Sequence, residues 1–218
     1  MALTTHWDWR GFGFVSPKVR RRFDELDSFF DDDEEPQRFT DEYLWIPDSE
    51  INVKFRDGIG LWDGLKFKRF HGRVGDLEKW TEPLDEVFPF PLSKQAWMLL
   101  LAEVKAAHGK HVEPPDAADR TAALRFLRSI DSHVQTLKIV KERRSKIWGK
   151  NRNVKVELAE ILSPKRMTSV GLEIWDPRLD LTDHGSITLL QEAIQDLKLA
   201  EEHLEVMNYL DLVKRCVE

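Results

Sequence analysis

Three separated stretches of the chain alternate apolar with charged residues: Asn52-Val53-Lys54-Phe55-Arg56, Leu65-Lys66-Phe67-Lys68 and Val154-Lys155-Val156-Glu157-Leu158. A period of two marks a strand, which sends successive side chains to opposite faces. Each segment is therefore predicted to carry one apolar face and one ionic face. Residues 4–14 follow the same rule with aromatics, placing His6, Asp8 and Arg10 on one face and Trp7 and Trp9 on the other. Further strands are predicted over 38–46, 134–148, 153–162 and 168–175. Those over 51–56 and 64–70 would be joined by a turn at Asp57-Gly58-Ile59-Gly60.

Helical spacing appears elsewhere. Ser16-Pro17 is a start signal, with Val19, Phe23, Leu26 and Phe30 following at near-helical intervals. The run Asp31-Asp32-Asp33-Glu34-Glu35, up to Pro36, reads as an exposed loop. Ser93 can cap a helix through about Ala107, with Gly109 as its stop. A second helix is predicted after Pro114-Pro115, from about Asp116 to Ile130, giving a helical insertion over 93–131. From Ser186, the stripe Ile187, Leu190, Ala193, Ile194, Leu197 and Ala200 predicts a long amphipathic helix to about 207, breakable near Asn208. Residues 72–92, with Trp80, Pro83 and Phe88-Pro89-Phe90-Pro91, read as an irregular segment wrapping a barrel end. No repeat or linker interrupts the pattern. The expected architecture is a single α+β domain over 1–218, a closed antiparallel β-barrel covered by several helices.

Composition sets outer limits. The chain has 218 residues, enough for one sizeable core. The densest apolar run, Ala96-Trp97-Met98-Leu99-Leu100-Leu101-Ala102, is too short to span a membrane, and the N-terminus lacks a signal-peptide layout. A single cysteine, Cys216, excludes an internal disulfide framework. A cytoplasmic protein is the default expectation.

Charge changes the picture through its distribution. The net charge of −6 argues against a general nucleic-acid binder. Yet residues 51–70 carry five Lys/Arg against two Asp, and residues 134–155 carry eight Lys/Arg against one Glu. The positive charge is concentrated on the strands. In order, the ionic faces offer Arg10, Lys54, Arg56, Lys66, Lys68, Lys141, Arg143 and Lys155, with fewer carboxylates: Asp8, Glu157 and Glu173. So many cations cannot share an interior without anionic partners, because like charges raise each other's energy there. Arg and Lys at alternate positions suit successive phosphate oxygens. The carboxylates suit Mg²⁺ or Mn²⁺, which often bridge a protein acid to a substrate phosphate.

These strands, in this order, resemble the CYTH, or triphosphate tunnel metalloenzyme, superfamily. His6-Trp7-Asp8-Trp9-Arg10 occupies the place of that family's Glu-x-Glu-x-Lys strand, with His6 departing from the pattern. Asn52-Val53-Lys54-Phe55-Arg56 is similar to its Arg-x-Arg strand, Leu65-Lys66-Phe67-Lys68 to the next, and Lys141-Glu142-Arg143 to its later basic strand. Glu157 and Glu173 lie where its late strands supply metal ligands; Trp175 stands where a second acid is common. The resemblance covers roughly 4–175. It implies a closed barrel holding a triphosphate-bearing substrate, with Mg²⁺ or Mn²⁺ as cofactor.

Other readings remain in play. Any one basic strand alone would suit a solvent-facing sheet, and only their co-occurrence favours an interior. His108-Gly109-Lys110-His111 has ligand spacing without a supporting cluster. Residues 141–146 could form a nucleic-acid patch, although their apolar neighbours suit a strand better. The C-terminal stripe reads as barrel cover, with a homodimer seam as the alternative. There is no nucleophile pattern and no P-loop. Three functions are compatible with the chain: metal-dependent hydrolysis of a phosphate-rich small anion, non-catalytic binding of polyphosphate or nucleotide, and a protein-interaction or RNA-binding module using the basic strand near 141–146.

Overall fold

The computed structural model describes residues 3–28, 35–57, 64–83, 87–108, 112–116, 119–149, 153–174 and 182–218. In chain order the elements are β1 (Leu3–Gly13), α1 (Pro17–Asp24), β2 (Asp27–Ser28), β3 (Gln37–Trp45), β4 (Ile51–Asp57) and β5 (Gly64–Val74). Next come β6 (Leu77–Pro83), α2 (Lys94–Glu103), α3 (Arg120–Ile130), β7 (Gln135–Trp148), β8 (Val154–Ser163) and β9 (Met167–Ile174). The chain ends with α4 (Asp183–Asp196), β10 (Leu204–Val206) and α5 (Tyr209–Val217).

Eight strands close a barrel in the order β1-β6-β5-β4-β3-β7-β8-β9, every neighbouring pair antiparallel. The ring closes because β1 uses two stretches: Leu3–Asp8 pairs with β6, and Asp8–Gly13 pairs with β9. β10 adds to the end of β1, and β2 to β7. Closure removes the sheet edges and fixes which face is inside. The charged face lies inside.

The apolar faces look outward into two helix-covered cores. Val53, Phe55, Leu65 and Phe67 pack with Trp97 and Leu100 of α2 and Leu124 and Leu127 of α3. Trp7, Trp9, Val156 and Leu172 pack with Val19 and Phe23 of α1 and Leu190 and Ala193 of α4. A third core sits at one end of the barrel, where Tyr209, Leu212 and Val213 of α5 meet Phe12, Tyr43, Ile139 and Ile161. This helix seals that end.

Local signals place the helices. Ser16 caps α1 with Pro17 behind it, and Ser93 caps α2; each hydroxyl accepts a backbone N–H three residues on. Asp119 rather than Asp116 caps α3. Residues 72–92 are not wholly irregular, since β5 extends to Val74 and turns at Gly75 (φ +58°) into β6. The expected helix over 186–207 is also corrected. α4 begins at Asp183 and stops at Asp196, near a left-handed Lys198, and Asn208 caps a separate α5. Phe30, Asp31–Glu34, Gly58–Gly60, Gly109, Lys110, His111 and Trp175 lie outside the described residues. Among the described residues, no helix is long and apolar enough to cross a membrane.

Candidate functional site: a cation-lined barrel interior

The interior forms two ionic layers above the α5 seal. In the deeper one, Asp41 of β3 is fully buried and gathers three cations. Arg56 grips it through a fork, Nε to Oδ1 at 2.8 Å and Nη2 to Oδ2 at 3.2 Å. Lys54 donates to Oδ2 at 3.2 Å, and Lys141 Nζ stands 3.6 Å from the same oxygen. Lys141, itself buried, also donates to the Tyr209 hydroxyl at 3.3 Å and sits 4.5 Å from that ring's centre. Tyr209 thus ends the tunnel with an aromatic face and a hydroxyl.

Glu157 of β8 organises a second group. Arg10 donates to its Oε1 and Arg143 to its Oε2, both at 3.0 Å, while Lys141 lies 4.0 Å from Oε1. Arg10 also donates to Ser169 Oγ at 2.8 Å. Gly171 makes room for this guanidinium: a Cβ there would stand 2.5 Å from Arg10 Nη2. Here glycine serves a close approach rather than a special backbone angle.

Farther from α5, Lys68 donates to Asp8 Oδ2 at 2.7 Å. Lys66 is opposite Lys54 in register and Lys155 is opposite Glu173, so both share the inner face. Lys66 has no carboxylate within ion-pair distance among the described residues. Glu173 approaches His6, with Nε2 to Oε1 at 3.5 Å. His6, Glu82 and Glu173 each offer a donor atom, all within 4.8 Å of one another.

The electrostatics follow from burial and crowding. Burial opposes ionisation of Asp41, but Lys54, Arg56 and Lys141 together hold its carboxyl well below the usual range. Burial likewise opposes charge on Glu157, and Lys141, Arg10, Arg143 and Lys155 overcome it. Glu173 resists burial through Lys68, His6 and Lys155, and is lowered to about 2. Three lysines go the other way. Burial and Arg56 push Lys54 well below its usual value despite Asp41, and burial leads the lowering of Lys66 and Lys155. The site holds more positive charge than its carboxylates neutralise.

All eight sequence-derived cations are brought into this interior, from β1, β4, β5, β7 and β8. Asp8, Glu157 and Glu173 are there too, but not as one cluster: Asp8 faces Lys68, Glu157 faces two arginines, and Glu173 faces His6. Sequence reasoning missed four participants. Asp41 lay in a correctly placed strand, and its alternation with Phe39 and Tyr43 was the available signal. Glu78 and Glu82 lie on β6, and Tyr209 follows the cap at Asn208. Glu78 accepts from Asn208 Nδ2 at 2.9 Å and from Trp80 Nε1 at 3.1 Å, tying the barrel wall to the seal.

No protein-family model matches the sequence, and no curated protein matches it. Solved structures do match in shape. The PH1819 protein from Pyrococcus horikoshii OT3 superposes with a TM-score of 0.51 at 13% identity, covering 94% of this chain and 97% of that one. The Mimivirus capping enzyme triphosphatase gives 0.48 at 10% identity, covering 89% of each chain. A putative adenylyl cyclase from Hippeastrum, described as having a dominant triphosphatase activity, gives 0.41 at 10% identity over 88% of each. What the chain shares with the PH1819 protein is the fold, here a closed eight-stranded antiparallel β-barrel.

Proposed function

We propose that this barrel binds the triphosphate portion of a phosphate-rich small anion and hydrolyses it with a divalent metal ion. The observation that carries the reading is the inner face itself. Among the described residues, eight cations from five strands share the inner face with six carboxylates: Asp8, Asp41, Glu78, Glu82, Glu157 and Glu173. Such an excess of buried positive charge is costly without an anionic guest. A linear polyphosphate supplies that charge along the barrel axis, where alternate side chains recur on every strand.

The chain's own residues divide the task. Lys66 and Lys155 neutralise incoming phosphate oxygens as point charges, while Arg10, Arg56 and Arg143 hold them by forks already oriented by Asp41 and Glu157. Lys54, Lys68 and Lys141 complete the clamp. This preorganised field stabilises the charge that spreads over phosphoryl oxygens during transfer. Asp8, Glu157 and Glu173 are the acids through which Mg²⁺ or Mn²⁺ would be held. Their fit differs. Both Glu157 oxygens are engaged by arginine, and Asp8 by Lys68, whereas Glu173 stands beside Glu82 and the buried His6 Nε2, which makes no hydrogen bond. A bound divalent ion would supply Lewis-acid polarisation of a phosphoryl oxygen and orient the attacking water.

The test is phosphate release from tripolyphosphate, ATP and thiamine triphosphate with Mg²⁺ or Mn²⁺, against Lys54→Ala. Metal-dependent release that vanishes in the variant is the expected result. Failure to release phosphate, with tripolyphosphate still raising the Tm of the parent but not of the variant, would replace hydrolysis with non-catalytic binding. Neither effect would overturn both.

A further inference from the structure

We infer that His6, Glu82 and Glu173 form a mixed nitrogen–oxygen metal site that selects a first-row transition ion such as Mn²⁺ over Mg²⁺. The inference deepens the proposed function and rests on it for its role, but the site itself stands on separate observations. His6 is 7% exposed, and its Nε2 has no hydrogen-bond partner. A buried polar nitrogen left unpaired costs about 1–3 kcal/mol, so a protein that keeps one has a use for it. The nitrogen is aimed at carboxylates: Glu173 Oε1 lies 3.5 Å away, and the three donors fall within 4.8 Å of one another. Donors ~2.1 Å from one shared ion span at most about 4.2 Å, so small side-chain shifts complete the set.

Three strands build the cluster. His6 stands opposite Trp80 across the β1–β6 pairing, two residues from Glu82. Glu173 is on the other side of β1, opposite Asp8. β1 thus carries the nitrogen between two walls that each supply an acid. Glu82 makes no hydrogen bond or ion pair among the described residues and meets Lys66 and Lys68 only through longer-range charge, which leaves its oxygens open to a metal. Lys66 and Lys155 stand near these acids, close enough for phosphate oxygens to reach both the cations and the ion.

Ligand chemistry sets the preference. Mg²⁺ demands oxygen in near-ideal octahedral geometry and keeps much of its water, whereas imidazole nitrogen suits transition ions. One imidazole and two carboxylates with open positions form a set that Mn²⁺ occupies readily, with room for phosphate and water. His6 therefore changes the ion rather than abolishing the site.

The probes are Mn²⁺ and Mg²⁺ added to the full chain without any phosphate ligand. Mn²⁺ binding is followed by loss of the free-ion paramagnetic resonance signal, Mg²⁺ by competition, and the nitrogen by its pulsed-resonance coupling to bound Mn²⁺. Parent protein should show a directly coordinated ¹⁴N. His6→Asp should lose that coupling and lower the Mn²⁺-to-Mg²⁺ affinity ratio about tenfold or more. Glu82→Gln, at a half-buried position that leaves the core intact, should weaken Mn²⁺ by a similar factor while keeping the nitrogen coupling. Bound Mn²⁺ without ¹⁴N coupling, absence of Mn²⁺ binding, or an unchanged ratio in His6→Asp would overturn the inference. Tripolyphosphate binding is measured on the same samples without metal. Its loss beside an intact Mn²⁺–nitrogen signal would overturn the proposed function and leave the site standing.

Discussion

Asp41 shows how one buried residue sets the terms for its neighbours. It is fully inaccessible and bonded to Arg56 and Lys54, with Lys141 close by. Removing its charge leaves three cations facing one another in a poorly solvated space. Breaking a buried charge network by deleting one partner costs about 3–5 kcal/mol. Asp41→Asn should therefore lower the urea midpoint strongly, and tripolyphosphate should recover part of the loss by supplying the missing negative charge. Equal destabilisation with and without tripolyphosphate would place the anion elsewhere. At Gly171 the prediction splits differently. Alanine would push on the Arg10 guanidinium, which holds both Glu157 and Ser169. Gly171→Ala should weaken tripolyphosphate binding more than it lowers Tm, read by calorimetry on folded protein. Conversely, an unchanged affinity would remove Arg10 from the clamp.

Elements were legible in proportion to how cleanly their two faces differ. β4, β5 and β8 put apolar residues outward and ions inward, so alternation found both the strand and its inner face. β6 does not: its inner face mixes Glu78, Trp80 and Glu82, and its outer face mixes Leu77, Lys79 and Thr81. No period of two survives that mixture, and with the strand went two interior acids. The C-terminal stripe misled for another reason. Its apolar spacing continues past Asp196, but Leu197 caps the α-helix and Leu199 opens a separate 3-10 turn, both buried in the same core as the barrel strands. Beyond them the chain builds the seal, whose importance no spacing reveals. Tyr209 stacks on Tyr43 with centroids 5.2 Å apart, meets Phe12 edge-on at 5.2 Å, and lies 4.9 Å from the Arg10 guanidinium. Tyr209→Ala should cost about 3 kcal/mol in denaturant unfolding, as expected for deleting a buried aromatic. Tyr209→Phe removes only the hydroxyl that receives Lys141 and should cost about 1 kcal/mol. A full-sized loss in Tyr209→Phe would assign the seal's strength to that hydrogen bond instead of to packing.

The barrel interior is net positive while the whole chain totals −6, and pH acts on the interior's acids and bases in opposite ways. Asp41, Glu157 and Glu173 are more acidic in the fold than in the open chain. Their contribution is complete above their ordinary values and disappears as pH falls through the folded ones, for Glu173 between 4.5 and about 2. The lysines oppose this. Lys54, Lys66 and Lys155 are less basic in the fold, first by burial, so between the folded and the ordinary 10.5 the open chain binds more protons. Free protein should gain stability from them as pH rises through that range. A bound polyanion reverses the effect, because its charge draws protons back onto the same amines. Tripolyphosphate binding should therefore take up protons at an alkaline pH where the free anion has already lost its own, and its affinity should fall as pH climbs. Calorimetric titration in two buffers of different ionisation enthalpy measures that uptake directly. Lys66→Met should reduce it, since Lys66 has no described carboxylate within ion-pair distance to hold its proton in the free state. Absence of proton uptake by the parent would mean that the lysines are fully charged before the anion arrives. The excess positive charge would then have to be balanced by water and by the six described carboxylates alone.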